Sequence, residues 1–136
     1  MGIDVVGVRR MARLLEENHG IEDTLFTPGE QEYCRGKRRY VDHITARFAA
    51  KEAVLKAFGT GIGQRMRWTD VEVANTSSGR PVVRLHGEVA AWAESHGLAD
   101  VDVTLTHSAG IAVAHALTVW ADDGPRRESE HALSPD

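Results

Sequence analysis

The spacing of apolar residues changes period midway along the chain, helical in the first half and alternating in the second. The opening run Gly2-Ile3-Asp4-Val5-Val6-Gly7-Val8 predicts a short β-strand, broken in character by Asp4, since aspartate is a poor strand former. An acid inside an apolar strand serves either as a strand-end cap or as a ligand. Met11, Leu14 and Leu15 then recur at helical spacing with Arg9, Arg10 and Arg13 clustered on another side, which predicts a helix over 9–20 stopped by Gly20. Thr27-Pro28-Gly29-Glu30 is a helix start: Thr27 can cap, Pro28 suits the first helical position and Glu30 completes a capping box. That short helix runs to Cys34 and gives way to the basic connector Arg35-Gly36-Lys37-Arg38-Arg39. The longest helical stretch follows, from near Tyr40 to near Phe58, with no Gly or Pro until Gly59.

From Trp68 the period becomes two. Trp68 to Ala74 and Pro81 to Leu85 alternate as half-buried strands around the turn Asn75-Thr76-Ser77-Ser78-Gly79-Arg80, predicting a hairpin. Glu88 to Glu94 reads as a helix closed by Gly97, and the strands Val101–Ser108 and Ile111–Val119 flank Ala109-Gly110. The polar stretch from Ala121, with Pro125 and Pro135, reads as a disordered tail. The expected fold class is α+β, an antiparallel sheet packed against a long central helix and shorter helices, with one domain over 1–120 and a tail over 121–136.

Composition narrows the function classes. The chain has 136 residues, enough for one core, and its 42% hydrophobic and 26% charged content is that of a soluble globular protein. A net charge of −4 makes the whole molecule no electrostatic match for nucleic acid. No apolar run approaches the roughly 20 residues of a membrane span and no signal-peptide pattern opens the chain, so neither nucleic acid nor membrane is an expected partner and a cytoplasmic location is expected. The single cysteine, Cys34, excludes an intramolecular disulfide and has no Cys or His signature around it to suggest a catalytic thiol.

Chemistry concentrates in Arg47–Gly63. Helical spacing stacks Phe48, Glu52 and Lys56, with Ala49 and Ala53 beside them, and three glycines follow within five residues at 59, 61 and 63. The stack fits two readings: a Glu52–Lys56 pair on a solvated face ended by a glycine cap, or a ribbon in which Glu52 holds a metal and Lys56 an anionic oxygen. Asp4 supplies a second hard oxygen ligand from a distant segment, and two carboxylates plus substrate phosphate oxygens commonly hold Mg²⁺. No Gly-Lys-Ser/Thr completes a Walker loop, and a helix C-terminus repels phosphate, so phosphate here depends on Lys56, on a metal or on loop amides. His107, where a strand gives way to Ser108-Ala109-Gly110, is placed to act as acid or base or to bind phosphate. No Gly-x-Ser-x-Gly elbow and no zinc-ligand spacing is present.

In this order Gly2-Ile3-Asp4, Phe26-Thr27-x-x-Glu30, Arg47-Phe48-Ala49-Ala50-Lys51-Glu52-Ala53-x-x-Lys56-Ala57-x-Gly59-Thr60-Gly61, Trp68-x-Asp70-x-Glu72-Val73, Gly79-x-Pro81 and Thr104-Leu105-Thr106-His107 resemble the holo-[acyl-carrier-protein] synthases. The resemblance covers residues 2 to about 119 and is most specific over Arg47–Gly61. It implies the 4′-phosphopantetheinyl transferase fold, a homotrimer with sites between subunits, and transfer of 4′-phosphopantetheine from coenzyme A to a serine of apo-acyl carrier protein, releasing 3′,5′-ADP. It further implies a catalytic set of Asp4, Glu52, Lys56 and His107, with Asp4 and Glu52 as Mg²⁺ ligands. Arg47, Phe48, Lys56, Gly59, Thr60, Gly61, Arg80, Pro81, His107 and Ser108 would contact coenzyme A, and Arg9, Arg10 and Arg13 would meet the acidic carrier. The carrier would serve fatty-acid or polyketide synthesis. A non-catalytic coenzyme A or carrier-binding module of the same fold is the competing reading, and the resemblance assigns no general base.

Overall fold

A computed structural model of the chain describes residues 1–59, 63 and 66–121. The expected tail beyond Ala121, and Thr60 and Gly61 of the glycine loop, lie outside the described residues. Strand β1 (Gly2–Gly7) runs directly into α1 (Val8–Glu17), which buries Met11 and exposes Arg9, Arg10 and Arg13. The helix ends at Asn18 rather than at Gly20. Gly20, with φ 81°, instead turns the chain into α2 (Ile21–Leu25), a short helix the apolar spacing does not reveal. Glu22 and Asp23 in its first turn suit the positive end of the helix.

Thr27 caps α3 (Pro28–Arg35) with a full capping box: its Oγ1 accepts from the Glu30 amide at 3.2 Å, and its own amide donates to Glu30 Oε1 at 2.8 Å. Helix α4 spans Tyr40–Phe58, as its composition predicts, and is the centre of the molecule. It buries Ala46, Ala49, Ala50, Ala53 and Val54 against Val6, Val103, Ala112, Ala114 and Ala116 of a sheet. Small residues on both layers let the helix lie close. The closest approach is at Gly2, where a Cβ would stand 2.2 Å from the Ala53 carbonyl oxygen. Only glycine fits there.

Two antiparallel sheets form where the alternation suggests one. Strands β4 (Leu98–Ser108) and β5 (Ile111–Trp120) join β1 in the order β1-β5-β4, while β2 (Val71–Asn75) and β3 (Pro81–Leu85) make a separate hairpin. Trp68–Asp70, expected as the start of a strand, is a single 3₁₀ turn closed by the Asp70 amide on the Arg67 carbonyl. Helix α5 (Gly87–Ser95) connects the two sheets. The β4–β5 turn puts Ala109 and Gly110 at φ 54° and 84°, the pattern of a type I′ hairpin, whose twist matches the strands it joins. Ala121 is tied back through its amide to the Gly97 carbonyl at 2.7 Å.

A buried ion pair locks α3 to α4. Lys51 Nζ lies 2.8 Å from Glu30 Oε1 with both side chains wholly buried, and it also donates to the carbonyls of Trp68 (2.9 Å) and Val71 (2.6 Å). Glu30 Oε2 accepts the Val73 amide at 2.7 Å. A buried charge without such partners would be prohibitively costly, so these bonds fix the rotation of α4 about its axis.

Candidate active site

Alternation along β1 turns Gly2, Asp4 and Val6 toward α4 and Ile3 and Val5 away. Asp4 is thereby carried to the C-terminal end of α4, where its Oδ1 lies 2.7 Å from Lys56 Nζ; the same ammonium donates to the Ile3 carbonyl at 3.2 Å. The Glu52–Lys56 pair expected from helical spacing does not form. Lys56 is drawn to Asp4 instead, because β1 holds that carboxylate largely shielded from water. Hydrogen bonding to Asp4 holds the Lys56 ammonium above its ordinary pKa.

Glu52 faces the same point. Burial pushes its carboxyl up, the Asp4 charge pushes it further, and Lys56 and Arg10 oppose the shift. Two carboxylates thus converge, with Lys56 bonded to Asp4 and Arg10 acting on Glu52 from α1. Among the described residues no group of three or more His, Cys, Asp or Glu side chains could hold a metal. A pair of acids completed by substrate oxygens and water is the donor set that suits Mg²⁺, and the poorly solvated Glu52 carboxylate fits a divalent ion. Gly59 closes the helix beside this group, at φ 88° with its amide on the Leu55 and Lys56 carbonyls.

A second cluster occupies a cavity of about 260 Å³ lined by Tyr33, His43, Arg47, Asn75, Pro81 and His107, among others. The Arg47 side chain is buried, its guanidinium 4.4 Å from the Tyr33 ring centroid and one Nη bonded to Asn75 Oδ1. Its buried Nε–H has no hydrogen-bond partner among the described residues. A buried cation with an unused donor calls for an anion. His107 Nδ1 lies 3.7 Å from Asp42 Oδ2, and its ring meets His43 edge-on.

The remaining predicted contacts sit elsewhere. Phe48 does not join Arg47; it packs on Trp68 (5.1 Å between centroids) and Phe26 (6.5 Å) and lines a groove with Val6, Arg10, Met11, Arg13 and Leu14. Arg80 is exposed and pairs with Asp102 at 3.5 Å, and Ser108 is exposed at the end of β4. Sequence spacing puts neighbours of Arg47 in one set, whereas successive helical residues point about 100° apart. By the same geometry Glu52 lies about 180° around α4 from His43. Asp4, Glu52 and Lys56 therefore gather on one side of the helix, and Arg47 and His107 on the other.

Sequence reasoning misses Tyr33, Asp42, His43 and Asn75, and the buried role of Lys51. His43 and Arg47 are four apart on α4, so a shared face was legible once a cavity was suspected. Nothing local places Tyr33 and Asn75 there, because both arrive through tertiary packing.

The chain matches the family profile of the 4′-phosphopantetheinyl transferase superfamily (ACPS) over residues 1–114. It is 47% identical over 114 residues to the holo-[acyl-carrier-protein] synthase of Geobacter sulfurreducens, covering 83% of this chain and 90% of that protein. Its fold superposes on the crystal structure of the Neisseria meningitidis holo-[acyl-carrier-protein] synthase with a TM-score of 0.79 at 25% identity, over 87% of this chain and 95% of that one. It also superposes on the Chronobacterium ammoniagenes ACPS–CoA complex, with a TM-score of 0.74 at 30% identity over 88% and 96% of the two chains. The α+β architecture and these likenesses agree: the chain belongs to the 4′-phosphopantetheinyl transferase superfamily, among the holo-[acyl-carrier-protein] synthases.

Proposed function

We propose that this chain transfers 4′-phosphopantetheine from coenzyme A to a serine of apo-acyl carrier protein. The serine hydroxyl oxygen bonds to the pantetheine-side phosphorus, the phosphoanhydride bond breaks, and 3′,5′-ADP leaves as the serine proton is released. The observation that carries the reading is the delivery of Asp4 by β1 to the side of α4 that bears Glu52 and Lys56. Asp4 and Glu52 would hold Mg²⁺, which supplies charge neutralisation to the pyrophosphate. Lys56, kept charged by Asp4, meets phosphate oxygens and the charge that develops on the leaving group. Arg47 and His107 bind phosphate in the second cavity, with Pro81 as a wall for the nucleotide.

Because the two clusters lie on opposite sides of α4, coenzyme A would span clusters of different copies, each chain contributing two half-sites. The outer face of the three-stranded sheet supports that reading: Ile3, Val5, Ile111, Leu117 and Val119 are all exposed there, an apolar surface suited to burial in a homotrimer. Arg9, Arg10 and Arg13 are exposed on α1, and Arg10 acts on Glu52, so the basic face borders the reacting centre and suits an acidic carrier protein. Purified protein incubated with coenzyme A, Mg²⁺ and an apo-carrier is expected to add one phosphopantetheine, read as a mass increase. No increase with carriers of both fatty-acid and polyketide type would overturn the reading.

A further inference from the structure

The cavity that holds Arg47 and His107 contains a second imidazole with no role in the transfer as described. His43, in the first turn of α4, places its ring 4.9 Å from that of His107, centroid to centroid and 74° apart, an edge-to-face contact. Asp42, the preceding residue, faces His107 Nδ1 at 3.7 Å, which leaves Nε2 as the nitrogen for a ligand. His107 is thus held on two sides by consecutive residues of one rigid helix, although it stands at the end of a strand beside a hairpin turn. We propose that His43 is a positioning residue for coenzyme A: its ring holds the His107 imidazole in the orientation in which His107 and Arg47 together meet a phosphate. The inference rests on the reading of this cavity as a coenzyme A subsite.

The charges around His43 suit that task. Burial holds His43 below its ordinary pKa, and the positive charges of His107, Lys37 and Arg47 act the same way against Asp42. The ring is therefore neutral near pH 7. A neutral ring can pack edge-on against the His107 imidazole without charge repulsion between the two. Tyr33, from α3, lines the same cavity and stacks on Arg47, so the other phosphate-facing cation is braced by an aromatic ring as well.

Steady-state kinetics of the full chain with apo-carrier separate this role from a structural one. His43→Ala is expected to raise KM for coenzyme A about tenfold, the worth of one hydrogen bond to a charged group, with kcat and KM for the carrier little changed. His43→Phe keeps the ring and is expected to restore KM to within about twofold, because the contact is steric and aromatic. The imidazole ¹⁵N signals of His107 are expected to shift in His43→Ala and to return in His43→Phe. Unchanged KM and unchanged His107 signals in His43→Ala would overturn the inference, as would failure of His43→Phe to recover either. Arg47→Met and His107→Gln serve as the separate arm: if both leave coenzyme A binding intact by calorimetry, the cavity is not a coenzyme A subsite and the inference falls with that reading. If they weaken binding while His43→Ala does not, only the role of His43 is lost.

Discussion

Lys56 Nζ sits 2.7 Å from Asp4 Oδ1 across 52 positions of chain, while Glu52, one turn earlier on the same helix, has no ion-pair partner among the described residues. Burial, with the Asp4 charge beside it, disfavours the Glu52 carboxylate more than Lys56 and Arg10 favour it. A carboxyl whose pKa rises on folding binds its proton more tightly in the folded state, so its ionised form costs stability at neutral pH. That cost fades as pH falls through the raised pKa toward the ordinary value of 4.5. Glu52→Gln is therefore expected to melt higher than the wild type at pH 7 without metal, the gap closing on acidification. Mg²⁺ is expected to raise the wild-type Tm and not that of the variant. Transfer is expected to fall roughly a thousandfold, from loss of several kcal/mol of charge stabilisation. A variant that melts lower at pH 7, or that still modifies carrier, would remove Glu52 from this role.

Much of this was legible in the chain, for a physical reason that also sets the boundary. The 19 residues of α4 have strong helix formers, a clear stop at Gly59 and no internal breaker, so its ends read correctly. Thr27 and Glu30 announce α3 through a local bond pattern that does not depend on the rest of the fold. What failed were pairings that compete with non-local partners. Lys56 prefers Asp4 to Glu52 because β1 delivers Asp4 with its position already fixed, an alternative invisible to i,i+4 reasoning. Asp4 and Glu52 were readable as a pair of acids, but the half-site at Arg47 needs Tyr33 and Asn75, whose approach only tertiary packing decides.

The delivery of Asp4 depends on Gly2. A Cβ at Gly2 would meet the Ala53 carbonyl oxygen at 2.2 Å and the Ala57 amide at 2.8 Å, both backbone atoms of α4 that cannot step aside. Gly2→Ala is expected to cost about 1–3 kcal/mol in chemical denaturation, the usual range for overpacking. Transfer should fall beyond what that loss explains, since β1 must lift and carry Asp4 away from Lys56. Gly7→Ala is the control: its Cβ meets only Arg10 Cβ, at 4.0 Å, and activity should hold. Full transfer by Gly2→Ala would show that Asp4 tolerates displacement.

Lys51 and Glu30 hold the same helix from the opposite side. Removing one member of a buried pair leaves an uncompensated charge, so Lys51→Met is expected to cost about 3–5 kcal/mol. Burial already holds the Lys51 ammonium below its ordinary pKa, with Glu30 opposing, which is the signature of a charge kept only by its partners. Glu30→Gln added to Lys51→Met should recover part of the loss in a double-mutant cycle, as the amide can still accept from Thr27 or Val73. Strict additivity of the two changes would mean that the pair is not coupled.

Arg9 and Arg13 of α1, unlike Arg10, do not act on Glu52 and should act on the carrier alone. Arg9→Glu with Arg13→Glu is expected to raise KM for the apo-carrier more than tenfold at low salt, and to remove most of its salt dependence. KM for coenzyme A should stay within about twofold. Equal effects on both substrates would place these arginines in the coenzyme A site instead.

The proposed division of the site between copies makes a prediction that no single-chain arrangement shares. A chain carrying Glu52→Gln keeps a sound Arg47/His107 half-site, and one carrying His107→Ala keeps a sound Asp4/Glu52/Lys56 half-site. Each is expected to be poorly active by itself. Co-assembled in equal amounts as random trimers, about a quarter of the sites would draw Glu52 from one sound half and His107 from another, so activity should return to that fraction of wild type. Leu117→Lys in both partners should abolish the recovery, because the exposed apolar sheet face could no longer be buried, and light scattering should then report single chains. Mixed variants that assemble yet stay at the level of the separate ones would mean that each site is built within one chain.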